Sequence, residues 1–405
     1  QSRLFTRNIK TEPSTFSTNI SHFHAMESVT TPSRRPFMDC FYALADIDDT
    51  VRHDAVVDLL YYLASSKKHG KGLPGLQKDY QANVAYTIKR LVRGLGSSRG
   101  CARQGFSLGL TELLRLTMKK SPEKFVVQDV QSVVDMIASE NAVNGSQKGQ
   151  EERDLLLAQV TGVSCVVRSG RVQEGDSVMR SLLRMVLDVA EKKVWIQQMC
   201  YETVALILDS NGTKDDSILF DEETFKTVVA RMMSVATSRK VTEKVTKETG
   251  SASDSSSSSS DDSSDEEDDK IMGTTGLATA FDVTKCDPQQ LQLALIIHQW
   301  CTNHNISHSD TRLGPLSSIA RSKTFDNVVS MASPLRESAR FATGVHAVWG
   351  HVIRRCASTS TVLKLWNEVV CHPAHGLLNT THQRRVLAFR LFQFIFRSGD
   401  LVGDA

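Results

Sequence analysis

The stretch from Tyr80 to Lys120 constrains the fold more than any other, because it carries two apolar stripes with helical spacing. The stripes consist of Val84, Ile88, Leu91, Val92 and Leu95, then Ala102, Phe106, Leu110, Leu113 and Leu114. Steps of three and four residues place such side chains on one face of an α-helix. Gly94 and Gly96 separate the stripes, and Ser97 or Ser98 can cap the second helix. Neither helix can bury its stripe alone, so the pair predicts a helical hairpin that packs against further helices.

Similar stripes recur along most of the chain. The first comprises Phe37, Cys40, Phe41 and Leu44, and the DIDD segment at 46–49 then predicts a capped helix start. Lys67 to Lys78 has the composition of a loop, and Ser121-Pro122-Glu123 predicts another helix start. Further helices are predicted at about 151–168, 173–192, 194–209, 222–237, 287–302, 323–333, 343–357, 360–370 and 380–397. The pattern predicts an all-α solenoid of the HEAT or armadillo type, made of stacked helical hairpins.

The predicted domain organisation has four parts: a disordered leader at 1–35, helical repeats at 36–237, an acidic disordered insertion at 238–280, and further helical repeats at 281–405. The insertion is predicted to be disordered because its Ser- and Asp-rich tract has too few apolar residues to fold around a core. Residues 251–269 hold eight acidic groups and no basic one, so the remaining chain is more basic than the net charge of +2 suggests. Ser258, Ser259, Ser263 and Ser264 each precede an acid by three residues, which predicts phosphorylation by acid-directed kinases.

Two alternatives stay open for residues 1–25, a transit peptide or a disordered leader that precedes a start at Met26. No apolar run approaches the roughly 20 residues that span a bilayer, so no membrane partner is expected. The eight cysteines are spread singly, mostly within apolar helical patterns. This spacing indicates buried thiols in a reducing compartment rather than disulfides or a zinc ribbon.

A cluster of basic residues surrounds the turn between the two stripes. Its members are Lys89, Arg90, Arg93, Arg99 and Arg103, and four-residue steps place Lys89 with Arg93, and Arg99 with Arg103, on shared helix faces. Guanidinium groups bind phosphate bidentately, which makes the cluster a candidate nucleic-acid contact. The competing interpretation is structural, with the cations bound to helix-end carbonyls or to carboxylates such as Asp46, Asp54 and Glu112. Lys67, Lys68 and Lys71 are further candidates for loose phosphate contacts.

Other motifs are interpreted as structural. Gly70 to Gly75 matches Gly-x-Gly-x-x-Gly, but a dinucleotide site needs a preceding strand, and Pro74 interrupts the motif. Asp46, Asp48 and Asp49 are where a helix N-terminus favours acids, so capping is preferred to a two-metal catalytic site. Two groups, His298, Cys301, His304 and His308, then Cys371, His372 and His375, offer zinc ligand types without a common zinc spacing. No metal, cofactor, catalytic residue or small-molecule substrate is therefore predicted.

The run from Arg90 to Leu114 resembles the signature of the Myb-binding protein 1A / DNA polymerase phi family, also called DNA polymerase V in yeast. Arg90, Arg93, Gly94, Ser97, Arg99, Ala102, Arg103, Gly105 and Phe106 match it, followed by the Leu-Thr-Glu-Leu-Leu helix at 110–114. A second resemblance covers Val345 to Trp349, Leu363 to Val370 and His382 to Phe392. There the chain has His382-Gln-Arg384-Arg385 where the family commonly has Glu-Arg-Lys. The order of the matches suggests the N-terminal part of a longer protein of this family.

The resemblance implies a nuclear, chiefly nucleolar protein with roles in ribosomal RNA transcription, ribosome biogenesis and transcription regulation. It also implies DNA binding, to ribosomal DNA chromatin, and partners among nucleolar, ribosome-assembly or transcription proteins. The preferred hypothesis is thus a non-enzymatic scaffold. Two alternatives stay open, a protein-binding solenoid that resembles a transport receptor, and a DNA polymerase as the family name suggests.

Overall fold

The computed structural model of the chain describes residues 34–69, 80–116, 129–171, 176–210, 283–284, 286–303, 330–340, 344–356 and 359–397. These residues form helices and connecting turns without any strand, which confirms the all-α prediction. The chain divides into two compact units, Gln1–Asp215 and Asp216–Ala405. Residues 1–33 of the predicted leader, the acidic insertion with its serines, and the predicted helix at 222–237 lie outside the described residues. No described helix combines the length and the apolar character needed to cross a membrane.

The first unit contains a regular succession of helices with short connections. They are α1 Phe37–Ala43, α2 Asp49–His69, α3 Tyr80–Gly94, α4 Gly100–Leu116, α5 Val130–Glu140, α6 Gln150–Arg168, α7 Asp176–Lys192 and α8 Val194–Asp209. The bounds of α6 and α8 agree with prediction to within a residue. The predicted stripes form the core: Leu91, Val92, Leu95 and Leu110 are fully buried.

The packing order of these helices follows one rule. Each helix of the pairs α1–α2, α3–α4, α5–α6 and α7–α8 contacts its partner in sequence. In addition, α2 packs on α4, α4 on α6 and α6 on α8, while α3 packs on α5 and α5 on α7. Even-numbered helices therefore form one layer and odd-numbered helices the other, as stacked hairpins of an α-solenoid require. Assignment to the HEAT or armadillo type stays a prediction.

Two helix boundaries differ from prediction. Helix α2 continues through Lys67 and Lys68 to His69, so the predicted loop does not begin at Lys67. Lysine is a good helix former, and the first strong break in the sequence is Gly70. The helix predicted to begin at Ser121 does not run unbroken into α5, because Asp129 has an extended backbone, with φ −50° and ψ 132°, and α5 begins at Val130. The start signal itself, Ser121 to Glu123, lies outside the described residues and stays a prediction.

The second unit has shorter and less regular elements. They are α9 Pro288–Asn303, α10 Ala332–Glu337, α11 Val348–Ile353, α12 Thr359–Trp366 and α13 His382–Arg397, with 3₁₀ turns at Ser338–Arg340 and Leu377–Asn379. Helix α9 packs on α10 and α11. The predicted helices at 287–302 and 380–397 are confirmed. Of the helix predicted at 323–333, residues 323–329 lie outside the described residues; Ser330 is helical, Met331 forms a turn, and α10 begins at Ala332.

Two further helices in this unit also differ from prediction. Helix α11, at Val348–Ile353, is shorter than the predicted 343–357, and the buried His346 ring caps its start by accepting a hydrogen bond from the Val348 backbone N–H at 3.1 Å. Helix α12 does not continue as α-helix to residue 370 but changes into a π-helix over Asn367–Cys371. Such widened turns are frequent at functional sites.

The cysteines behave as buried apolar residues. Six of the eight are buried, Cys101 is half-buried, and only Cys371 is exposed. Burial raises the pKa of the Cys40 thiol to about 12 and that of Cys165 to about 11. These thiols therefore stay protonated and unreactive at neutral pH.

Candidate functional site

Glycines of the α3–α4 hairpin allow unusually close packing. A Cβ atom on Gly105 would overlap the backbone carbonyl of Leu44, at the end of α1. A Cβ atom on Gly94 would overlap the ring of Phe106, which covers the turn from the α4 side. The turn itself is closed by backbone hydrogen bonds, including Leu95 N–H to the Val92 carbonyl at 3.2 Å. Gly94 thus serves the packing within the hairpin, and Gly105 serves the contact with the preceding hairpin.

Arg103 ties the turn to the next hairpin. Its Nη1 donates to the Ser97 carbonyl at 2.6 Å and to Asp154 Oδ1 of α6 at 3.1 Å. Asp154 is buried, and it also accepts a hydrogen bond from Gln150 Nε2 at 2.9 Å. A buried carboxylate needs such partners, because desolvation of an unpaired charge is expensive.

Arg99 ties the same turn to the preceding hairpin. Its Nη2 donates to the carbonyl of Ala45, in the segment between α1 and α2, at 2.8 Å. A carbonyl acceptor leaves the formal charge of Arg99 uncompensated, and the residue is exposed. Arg99 therefore combines a packing contact with a positive surface.

Lys89 and Arg93 share one carboxylate across two hairpins. Lys89 Nζ lies 3.2 Å from Glu140 Oε1 and Arg93 Nε lies 2.5 Å from Glu140 Oε2, joining α3 to the end of α5. The hydrogen bond from Arg93 holds the pKa of Glu140 below its ordinary value. Both cations stay exposed, and two cations against one carboxylate leave a net positive charge.

Arg90 adopts a different role. Its guanidinium lies 4.7 Å from the centroid of the Phe41 ring, and Nη1 donates to the Tyr86 hydroxyl at 2.7 Å. A guanidinium over an aromatic face is stabilised by the ring quadrupole. Arg90 thereby joins α3 to α1.

The structure revises the expected partners of these cations. Glu140 and Asp154 are the carboxylates that bind them, whereas Glu112 pairs with Arg115 at 2.7 Å. The Asp46 carboxylate accepts the Asp48 backbone N–H at 2.9 Å. Spacing on a single helix does not reveal a partner in another hairpin, which is why the sequence did not identify Glu140 and Asp154.

Arg52 was missed by the sequence analysis. It is 5% exposed, and its Nη1 donates to the carbonyls of Asp46 and Ile47 at 2.7 and 2.8 Å. Its Nη2 reaches Gln104 Oε1 at 3.2 Å. The sequence did contain a signal for this role. Arg52 lies in the first turn of α2, directly after the break that ends α1, and the last carbonyls of a helix need hydrogen-bond donors.

The aspartates at 46–49 act at the start of α2. Asp48 Oδ1 accepts the Thr50 backbone N–H at 2.8 Å, the bond of an N-cap residue. Asp49 forms an ion pair with Arg52. The capping interpretation is thus confirmed for Asp48, and Asp49 helps to hold the buried guanidinium.

The lysine candidates fall at the edge of the described chain. Lys67 and Lys68 lie in the last turn of α2, and Lys71 lies outside the described residues. The glycine motif at 70–75 and the serines at 258, 259, 263 and 264 also lie outside them. Their predicted roles stay predictions.

The two histidine groups have different surroundings. His298 Nδ1 lies 2.5 Å from Arg355 Nη2, and burial lowers the pKa of Arg355 to about 10. His304 and His308 lie outside the described residues. In the second group, the rings of His372 and His375 stack with centroids 3.6 Å apart, and Glu368 joins them. The pKa of His375 is lowered, mainly by partial desolvation and next by the positive charge of the neighbouring Arg336.

These observations define a class for the first unit. It is a helical-hairpin repeat protein in which arginines, carboxylates and glycines of one hairpin lock onto the hairpins before and after it. Residues 86–242 match the family model described as DNA polymerase phi, so the match begins in α3. It includes the residues of the α3–α4 hairpin that contact neighbouring hairpins, here called the locking residues: Lys89, Arg93, Arg99, Arg103 and Gly105.

Relatives of known name agree with that match. The chain is 27% identical to the rDNA transcriptional regulator pol5 of Schizosaccharomyces pombe over 177 residues, which is 42% of this chain and 16% of the relative. It is 28% identical to the rDNA transcriptional regulator POL5 of Saccharomyces cerevisiae, over 36% of this chain and 17% of that relative. It is 25% identical to human Myb-binding protein 1A, over 43% of this chain and 12% of that relative. Residues 86–242 of the chain are thus similar, at modest identity, to the DNA polymerase phi and Myb-binding protein 1A family.

These alignments span less than a fifth of the length of each relative. The second resemblance, from Val345 to Phe392, lies beyond residues 86–242 and stays a prediction. No solved structure matches the chain.

Proposed function

We propose that this chain is a nuclear, chiefly nucleolar, helical-repeat scaffold that acts in ribosomal DNA transcription and ribosome biogenesis and binds DNA. The observation that carries the proposal is the coincidence of the family match with the two-layer stack. The match begins in α3 and includes the locking residues Arg93, Arg103 and Gly105. Two of the relatives are named rDNA transcriptional regulators, which supports the same role here.

The packing supports a scaffold rather than an enzyme. Stacked hairpins bury a continuous core between their layers and leave extended surfaces for partners. The aspartates that could suggest a two-metal catalytic site have structural roles: Asp48 caps α2, and Asp49 forms an ion pair with Arg52. The name of the human relative, Myb-binding protein 1A, indicates a transcription-factor partner for that protein, and partners of the same class are proposed for this chain.

The charges near the α3–α4 turn support DNA binding. Arg103 is neutralised by Asp154, but Lys89 and Arg93 are exposed and share the single carboxylate of Glu140, and the exposed Arg99 donates to a backbone carbonyl. Exposed cations with spare charge can contact phosphates while keeping their protein contacts. Lys67, Lys68 and Lys71 are proposed as a second, separate contact surface, of lysines suited to loose, sequence-independent contacts. Lys67 and Lys68 lie in the last turn of α2, about 27 Å along the helix from its start, which faces the α3–α4 turn.

A tagged copy of the chain should concentrate in nucleoli and co-precipitate ribosomal DNA with transcription or ribosome-assembly proteins. This result follows if the stack is a scaffold at ribosomal DNA. Localisation by microscopy and chromatin precipitation measure it directly. Recovery of transport cargo without nucleolar enrichment would instead support the transport-receptor alternative and contradict the proposal.

Replacing Lys67, Lys68 and Lys71 by glutamate should weaken DNA binding and flatten its salt dependence. Each lost phosphate contact lowers the slope of log K against log salt by about 0.9. Fluorescence anisotropy with a duplex at several salt concentrations gives that slope. The control changes Lys148 and Lys192, exposed lysines of the same unit, to glutamate. An unchanged slope in the first variant, or equal changes per substitution in both, removes the lysines from the proposed surface.

A further inference from the structure

Three potential metal ligands converge where α12 ends. Glu368 lies in the π-helix Asn367–Cys371, and His372 and His375 follow in the next turn. One ligand atom from each residue lies within 4.8 Å of the other two, the only such group found among the described residues. A carboxylate and two imidazoles form a ligand set that zinc sites use, with a further position left for water.

The backbone around these residues is anchored on both sides. Val369 and Val370 are fully buried before the turn, and Leu377 is fully buried after it. Within the turn, the His372 carbonyl accepts the Gly376 N–H at 2.9 Å and Asn379 Nδ2 at 3.0 Å. A Cβ atom on Gly376 would lie 2.6 Å from the same carbonyl oxygen, so only glycine fits there. A site that is held before the ion arrives loses little entropy on binding.

The exposure of the group suits reversible binding. Glu368 and His372 are half-buried and His375 is exposed, so an ion can enter from solvent. The donor atoms must close in, because zinc holds nitrogen and oxygen ligands at about 2.0–2.2 Å. Rotation of side chains supplies this movement, and a metal at His372 Nδ1 would replace the 3.2 Å hydrogen bond from the Ala374 N–H. The neighbouring cation Arg336 opposes the added charge, so the affinity should be moderate.

We propose that Glu368, His372 and His375 form a binding site for a divalent transition-metal ion, with zinc as the preferred species. Bound metal would clasp the π-helix to the turn that leads into α13. The site differs from the grouping of Cys371 with the two histidines that the sequence suggested, because Glu368 takes the place of the thiol. The signal in the sequence was a glutamate one helical turn before His372, where positions i and i+4 share a face.

Calorimetric titration of the chelator-treated full chain with Zn²⁺ tests the site. The wild-type chain should bind one equivalent that His375→Ala and Glu368→Gln lose. Changes to outer-shell groups alone lower metal affinity by about 10–100-fold, so loss of a ligand should cost at least this much. Circular dichroism checks that both variants keep their helices, and the exposed position of His375 makes misfolding of that variant easy to separate from lost binding.

Two matched controls sharpen the test. Cys371→Ser removes a stronger zinc ligand next to the site, and His382→Ala removes an exposed histidine at the start of α13. Both should bind zinc as the wild type does, and Co²⁺ should give a spectrum without thiolate charge transfer. Absence of zinc binding by the wild-type chain, unchanged binding by His375→Ala, or loss of binding in Cys371→Ser each overturns the proposal.

Discussion

Replacing Gly105 by alanine should destabilise the first unit by about 3 kcal/mol or more, the upper range for overpacking. Alanine at a helical position is normally favoured over glycine by about 1 kcal/mol, so the expected effect has the opposite sign to helix propensity. The cause is steric, because the new Cβ would overlap the Leu44 carbonyl and lie 3.0 Å from Arg52 Cδ. Relief requires α1 and α4 to separate. Chemical denaturation followed by far-ultraviolet circular dichroism measures the loss.

Gly350→Ala is the matched control. Gly350 lies in α11 and is also buried, but its new Cβ would meet Arg354 Nη2 at 3.6 Å and Phe394 Cζ at 3.9 Å, which are ordinary contacts. This variant should be neutral or more stable by up to about 1 kcal/mol. A Gly105→Ala protein as stable as wild type would show that α1 and α4 do not approach as closely as described.

Arg103→Met should cost about 3 kcal/mol of unfolding free energy, the magnitude seen when one partner of a buried ion pair is removed. Methionine keeps much of the packing of the arginine stem but leaves Asp154, whose side chain is 6% exposed, without its cation. The second substitution Asp154→Leu should recover part of the loss, because an apolar pair no longer buries an unpaired charge. Equilibrium denaturation of the single and double variants measures both steps.

Arg93→Met provides the comparison for that experiment. Arg93 also pairs with a carboxylate of the next hairpin, but its side chain is 61% exposed. Exposed pairs contribute about 0–1 kcal/mol, so this loss should be clearly smaller. Equal losses in Arg93→Met and Arg103→Met would mean that burial of Asp154 does not determine the contribution of the bridge.

Apolar spacing was enough to predict much of the first unit. The stripes from Val84 to Leu95 and from Ala102 to Leu114 became the buried faces of α3 and α4, and α8 has the predicted bounds. Periodicity succeeds here because each helix buries one face against its hairpin partner and the next layer. The capping role of Asp48 was also legible, since it depends on residues two positions apart.

Features that depend on distant residues could not be read in the same way. Arg52 is buried because the carbonyls of Asp46 and Ile47 face it across a bend, and its sequence neighbourhood looks like an ordinary exposed helix. The π-helix at Asn367–Cys371 breaks the 3.6-residue period on which the prediction rested. Glu368 lies in that π-helix, and a search limited to cysteine and histidine spacings did not include its carboxylate.

The two-layer packing of the first unit also bears on how it folds. Its hydrogen bonds between hairpins span similar sequence separations, such as 47 residues from Arg93 to Glu140, 54 from Ala45 to Arg99 and 58 from Ser107 to Cys165. Contacts of this limited range keep loop-closure costs small and favour rapid folding that spreads from one nucleus to adjacent pairs. The unit then behaves as a nearly one-dimensional cooperative chain, in which a local fault weakens its immediate neighbours first.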